Sequence, residues 1–176
     1  MLKENNFKRM CSFYVSNIHL STMILPYLSE KIEKGEILTT FLEKDIQKEM
    51  ELLLSKTNIK ESLKTTINSI NWYKTNKVKY LEIENHMDKF KRNKKINILV
   101  VGTNKYIEEI NKNLIKYLKK NESCTVDIID AYEVEENKQN IDKIISNYEY
   151  MINTSGQHLV KEVFKSNNNS DTKKIG

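Results

Sequence analysis

Residues 96–101 (INILVV) constrain the fold most: five of the six are apolar and Gly102 follows at once. A strand with apolar side chains on both faces needs cover on both faces, and such strands belong to parallel sheets flanked by helices. Similar runs recur at 10–15 (MCSFYV), 37–42 (ILTTFL), 126–132 (VDIIDAY) and 150–153 (YMIN). Between them, apolar residues return at helical spacing. Leu20, Met23, Ile24, Tyr27, Leu28 and Ile32 mark a helix over 18–34, and Ile46, Met50, Leu53 and Leu54 one over 43–56. Tyr106, Ile107, Ile110, Leu114, Ile115 and Leu118 mark one over 105–120, and Ile141, Ile144 and Ile145 one over 135–148. Strands alternating with helices predict a three-layer α/β fold, with a mostly parallel sheet between helices on both faces. It would be Rossmann-like or RecA-like, wound by right-handed crossovers.

Local signals set the boundaries. Ser16 or Asn17 can cap the first helix, and Thr103 or Asn104 the helix after 96–101. Pro26 implies either a helix starting near Ile24 or a kinked one. Gly35 ends that helix. Residues 60–66 add a helical turn or two, and alternation over 67–73 (INSINWY) predicts another strand. Val78, Leu81, Ile83, Met87 and Phe90 give 76–92 an amphipathic pattern, with Leu81, Met87 and Phe90 open to use as core or as a homodimer face. Residues 157–165 are read as a last helix. With no fixed-period repeat and no linker, 1–165 is one domain, and 166–176 a flexible polar tail.

Charge excludes less than it suggests. The formal net charge is +5, which can signal an acidic partner. A nucleic-acid footprint needs Lys and Arg on one face, however, and here Glu is interleaved with most of the Lys, so nucleic acid is disfavoured. Cys11 and Cys124 lie in predicted strands beside apolar residues and read as buried, inert thiols. No apolar run approaches the roughly 20 residues that span a bilayer. Residues 1–10 carry no secretory apolar region, so the expected location is the cytoplasm, without a membrane partner.

The chemistry is read mostly by exclusion. The glycines Gly35, Gly102, Gly156 and Gly176 form neither GxxxxGK[ST] nor GxGxxG, and a pyrophosphate cannot approach the backbone closely without such glycines. His19, His86 and His158 have no metal-ligand spacing, so no metal and no cofactor are predicted. Ser155 lacks the first glycine of a GxSxG elbow, and His158 nearby in sequence does not make a nucleophile–base pair. No catalytic residue is assigned. Ligands of open parallel sheets bind beyond the carboxyl ends of the strands. That rule points to Ser16, Asn17 and His19 after the first strand, Glu43 and Lys44 after 37–42, Thr103 and Asn104 after 96–101, Asp130 and Tyr132 at the end of 126–132, and Thr154 and Ser155 after 150–153. The ligand-binding candidates taken from this edge are Tyr14, Ser16, Asn17, His19, Gly102, Asn104, Asp130 and Tyr132. Trp72 with Tyr73, flanked by Lys74 and Lys77, reads as core or interface before base stacking.

The layout resembles the MEDS domain, the sensory domain of methanogen and methylotroph regulators. The matching features are Phe13-Tyr14 ending the first strand, Leu25-Pro26-Tyr27 in a helix, Gly35-Glu36, the strand 127–132 (DIIDAY) and the closing segment 148–156. The first strand opens on Lys8-Arg9-Met10 where such domains often have His, and it is Asp130-Ala131-Tyr132-Glu133 that stands at the family's Cys-x-Tyr-Asp-like strand end. The resemblance implies a RecA-like architecture without the phosphate loop, and a non-catalytic sensory or regulatory role that binds a small molecule or a partner protein. Two other readings stand beside it. One is an enzyme acting on a nucleotide or phosphorylated small molecule through Asp130, His158, Lys44 and the Gly102 loop; the other is a nucleic-acid-associated regulator.

Overall fold

In a computed structural model, which describes residues 6–168 except 94, the run 96–101 sits inside strand β3 (Lys95–Val101), and every residue of it is buried. β1 (Phe7–Tyr14), β2 (Ile37–Leu42), β4 (Thr125–Glu133), β5 (Tyr150–Asn153) and β6 (Gly156–Leu159) complete a sheet of order β2-β3-β4-β1-β5-β6. All pairings are parallel except β5–β6. Helices α1 (Asn17–Glu33), α2 (Gln47–Lys56) and α3 (Glu61–Asn68) supply one core, in which Leu20, Ile24, Met50 and Ile67 pack on Met10, Leu99 and Ile129. α4 (Tyr80–Met87), α5 (Asn104–Lys120) and α7 (Ile141–Ile145) supply the other, where Ile83, Ile107, Leu114 and Ile144 pack on Phe41, Ile98 and Ile128. The short α6 (Val134–Asn137) follows β4 directly, and α8 (Val160–Asn168) follows β6. The three-layer α/β expectation holds.

The helix ends follow from their residues. Ser16 caps α1 by accepting from the His19 amide at 3.2 Å, and Thr103 caps α5 by accepting from the Tyr106 amide at 3.3 Å. Pro26 does not open α1. It sits inside the helix on its exposed side, while Met23, Ile24, Tyr27 and Leu28 stay buried. At the other end the Gly35 amide reaches the Ile32 carbonyl at 2.9 Å and the Glu36 amide the Lys31 carbonyl at 3.0 Å. This is the double bond pattern of a Schellman cap, and it needs the left-handed φ of 71° that Gly35 adopts.

Several local expectations change. Residues 67–73 do not form a strand. Ile67 and Leu63, four apart, are buried in α3, and the chain then turns so that Trp72 Nε1 donates back to the Ile67 carbonyl at 3.2 Å. In so short a segment periods of 2 and 3.6 fit equally well, and packing on the α1 side decided. The helix expected over 135–148 is two short pieces, α6 and α7, interrupted at 138–140. The expected helix over 157–165 starts later. Residues 156–159 pair with β5 instead, which satisfies β5's outer edge, and Gly156 turns the hairpin with φ 109°. Residues 166–168, expected to begin a flexible tail, continue α8; the rest of that tail lies outside the described residues. Among Leu81, Met87 and Phe90, Met87 is fully buried and Leu81 is 62% exposed, so this set does not form one face. No helix among the described residues is long and apolar enough to cross a membrane.

Two polar clusters lie within the second core. The Asp130 carboxylate is fully buried and accepts from Arg9 Nη2 at 2.9 Å, Tyr148 Oη at 2.6 Å and Asn111 Nδ2 at 2.7 Å. His86, 2% exposed, stacks on Tyr73 at 4.1 Å between ring centroids and shares a 2.8 Å hydrogen bond with Thr39 Oγ1. Burial, with the Lys89 charge as a lesser cause, pushes the His86 imidazole down to about 4.

Both clusters give expected outcomes. Asp130→Ala strands the Arg9 guanidinium and should lower unfolding free energy by about 3 kcal/mol, read from the denaturant midpoint. Below the unfolded pKa of about 6.5, the unfolded chain takes up a proton that folded His86 refuses. Its contribution is therefore present near neutral pH and lost as pH falls from about 6.5 towards 4, by about 3 kcal/mol in total. Chemical denaturation across that range should show the loss, and His86→Gln should flatten its slope relative to wild type.

Candidate functional site

The crossover from β1 runs through α1 to β2 on one side, and that from β4 runs through α6 and α7 to β5 on the other. β1 and β4 are neighbours, so their carboxyl ends flank the place where the winding reverses, which is where ligands of open α/β sheets bind. The rim there is made by the loop after β1 (Val15, Ser16), the start of the β2–α2 loop (Glu43, Lys44, Asp45), the loop after β3 (Gly102, Thr103) and the end of β4 (Glu133) with Glu136 of α6.

The loop after β1 is closed on itself. The Val15 amide donates to His19 Nδ1 at 3.2 Å, which places that ring's proton on Nε2. The Ser16 hydroxyl takes the His19 amide, and Asn17 Nδ2 donates to the Asp45 carbonyl at 3.4 Å. A phosphate at this helix start would need free amides and glycines. It meets the Val15 and His19 amides already bonded within the chain.

The loop after β3 is filled in the same way. Glu43 Oε2 accepts from the Thr103 amide at 2.6 Å, so a carboxylate occupies the α5 start that could have held an anion. Gly102 is buried under it. A Cβ there would lie 2.5 Å from Tyr106 Cδ1 and 2.6 Å from Glu43 Oε2. Lys44 bridges Glu133 and Glu136, the latter at 2.7 Å. Burial works against its charge, yet the two carboxylates hold Lys44 above the usual lysine range. One cation among Glu43, Glu133 and Glu136 leaves this rim acidic.

The strand-end residues selected from the sequence divide into three places. Ser16 and Gly102 belong to the two rim loops, and Asn17, His19 and Asn104 to the first turns of the helices that follow them. Tyr14 lies just below the rim on the α1 side, 1% exposed, and its hydroxyl has no hydrogen-bond partner among the described residues. Burial, offset in part by Lys44, pushes that phenol up to about 12. Asn104 Oδ1 is likewise buried and unpartnered. Asp130 and Tyr132 are on the opposite face of the sheet from Tyr14, inside the second core, with Tyr132 Oη 2.7 Å from Tyr148 Oη. The eight residues therefore do not line one pocket. The strand-end rule placed Glu43 and Lys44 at this edge, but sequence reasoning passed over Glu133 and Glu136 as rim groups and Arg9, Asn111 and Tyr148 as partners of Asp130. For the last set a signal existed: an aspartate in a strand apolar on both faces demands buried donors.

Elsewhere, Ser155 Oγ lies 2.8 Å from His158 Nε2 in the exposed β5–β6 turn. Asn153 Oδ1 also accepts from that hydroxyl at 2.7 Å and from the Ser155 amide at 2.9 Å. The pair serves the turn, and no carboxylate bonds the His158 ring among the described residues. No cluster of three or more metal-ligating side chains occurs among the described residues either. The interior cavity bounded by Tyr27, Leu38, Trp72 and Leu99 measures about 10 Å³, the space of a single water.

These elements form a RecA-like α/β fold whose first strand-to-helix loop contains no glycine. The chain is similar to a structure solved as an ATPase domain, with 11% identity and a TM-score of 0.50 over 84% of this chain and 68% of that one. It also matches an uncharacterised protein from Pyrococcus horikoshii solved with an unknown peptide, at 10% identity and a TM-score of 0.48 over 85% and 77% of the two chains. At these identities the likeness shows the fold alone. No family model and no curated protein matches the sequence.

The packing around Gly102 has a measurable consequence. The Tyr106 ring is held by its hydroxyl bond to the Thr75 carbonyl at 2.9 Å, and Glu43 by the Thr103 amide. Neither yields easily to an added methyl. Gly102→Ala should cost about 1–3 kcal/mol, seen as a lowered melting temperature.

Proposed function

We propose that this chain is a non-catalytic binding module on a RecA-like frame, engaging a partner protein at the strand-end rim and working without a nucleoside triphosphate. One observation carries the reading: the β1–α1 loop, where a phosphate would rest on free amides, is closed by His19 Nδ1 and Ser16 Oγ. The acidic surroundings of Lys44 support it, because like charges repel a triphosphate. Val15 and Ile18 flank the closed loop and are 60% and 42% exposed. Two exposed apolar residues beside a charged rim suit a protein interface. An enclosed small-molecule site has less support, since the cavity under α1 holds no more than a water. A sensory role of the kind the MEDS resemblance implies fits this reading, with the signal passing through the partner.

The fold favours one competing reading, an enzyme acting on nucleotides. Thermal melting with MgATP and MgGTP, together with a phosphate-release assay, separates the two. The expected outcome is an unchanged melting temperature and no release above blank. A saturable rise would transfer the assignment to nucleotide chemistry, because a ligand that binds only the folded form must stabilise it. Affinity capture with wild type and with folded Val15→Asp, Ile18→Asp protein reads the rim itself. A partner retained equally by both would remove the rim from the interface.

A further inference from the structure

Four lysines share one face of α5. The helix carries Lys112, Lys116, Lys119 and Lys120, all exposed, on one open face that they share with Ile115. The sequence has no acidic residue between Glu109 and Glu122. None of the four lysines forms an ion pair among the described residues. Lys116 and Lys120 instead lie over the face of Tyr80 from α4, at 4.3 and 4.8 Å. The carboxylates of α4 and its C-cap pair with groups other than these lysines: Glu84 accepts from the Tyr80 hydroxyl at 2.9 Å, Asp88 accepts from the Tyr117 hydroxyl at 3.0 Å, and Glu82 faces Lys77 at 3.8 Å.

This arrangement works against the helix's own stability. Lys112 with Lys116, and Lys116 with Lys120, are like charges four residues apart, each pair costing a few tenths of a kcal/mol. The helix dipole rewards Lys119 and Lys120 in the last turn, but it offers nothing to Lys112 and Lys116 further in. An anion laid along the ridge would relieve all four.

We infer that this face of α5 is a docking surface for the phosphate backbone of a nucleic acid, bound without regard to sequence. The four ammonium groups are point charges spread over about 12 Å of helix, which suits a linear run of phosphates. The absence of arginine from the ridge removes the bidentate fork that reads guanine edges, so the contact positions without specifying. A membrane is the poorer fit. A helix lying in lipid must turn its apolar side outward, and that side of α5 (Ile107, Ile110, Leu114, Leu118) is fully buried against the sheet. The surface is separate from the strand-end rim, so it stands or falls independently of the partner proposed there.

Fluorescence anisotropy with labelled single-stranded and duplex oligonucleotides, over a series of salt concentrations, tests this. Wild type should bind at low salt and weaken linearly on a log–log plot. Replacing Lys112, Lys116, Lys119 and Lys120 by Gln should remove up to about 3.6 units of that slope on duplex, at about 0.9 per phosphate contact. A control with Lys48, Lys56, Lys60 and Lys138 replaced by Gln loses the same charge and should keep the slope. Circular dichroism establishes that both variants fold. Equal loss in both variants would reduce the effect to net charge and overturn the inference. So would absence of low-salt binding by wild type, or ridge-dependent binding to phosphatidylserine vesicles or an acidic protein without any to nucleic acid.

Discussion

The buried Asp130 carboxylate ties together three separate parts of this molecule. It lies on β4 in the middle of the sheet, and its donors come from β1 (Arg9), α5 (Asn111) and the segment leading into β5 (Tyr148). Burial pushes its carboxyl upward, opposed by the Arg9 charge and by the Tyr148 and Asn111 bonds. Apolar contacts tolerate small slips, whereas a charge in the core tolerates very little, because an unmet bond there costs the full desolvation of the group. The β1–β4 register, which pairs Cys11 with Asp130 and Arg9 with Ile128, keeps Arg9 two residues back from the carboxylate on the same face. That register also sets where β1 and β4 end, and hence the position of the rim.

At the rim, the frame and the local chemistry diverge. A RecA-like sheet presents helix starts at its strand ends, and helix starts attract anions. Here Glu43 occupies one and the Ser16–His19 pair the other. Side chains take up the Val15 and His19 amides at one start and the Thr103 and Tyr106 amides at the other. The chain keeps exposed apolar residues, Val15 and Ile18, just outside. The frame sets the place of binding, and the side chains decide what can bind there.

Much of the frame was legible because parallel sheets write strong signals. β2, β3, β4 and β5 are apolar runs, α1 and α5 show helical spacing over 17 residues each, and Ser16, Thr103 and Gly35 mark their ends by backbone chemistry. The signal was lost where two periods fit equally well, as at Ile67, and where a short edge strand (β6) gains its stability from a neighbour. The candidate site was legible only in part. The strand-end rule located Ser16, Asn17, His19, Gly102 and Asn104 at the rim. It could not tell that Tyr14 and Tyr132 point to opposite faces, nor that Asp130 is an interior ion-pair partner.

The sequence by itself determined the layer architecture, the helix caps and the lack of a phosphate-cradling loop, since each rests on residues adjacent in the chain. Only the tertiary structure decided which charges meet. Lys44 with Glu133, Arg9 with Asp130 and Glu43 with Thr103 are separated by 89, 121 and 60 residues. The ridge on α5 was also decided there, because Tyr80 reaches Lys116 and Lys120 only when α4 packs on α5. Electrostatic contacts act over a few ångströms of space, and distance along the chain carries no information about them until the sheet order is known.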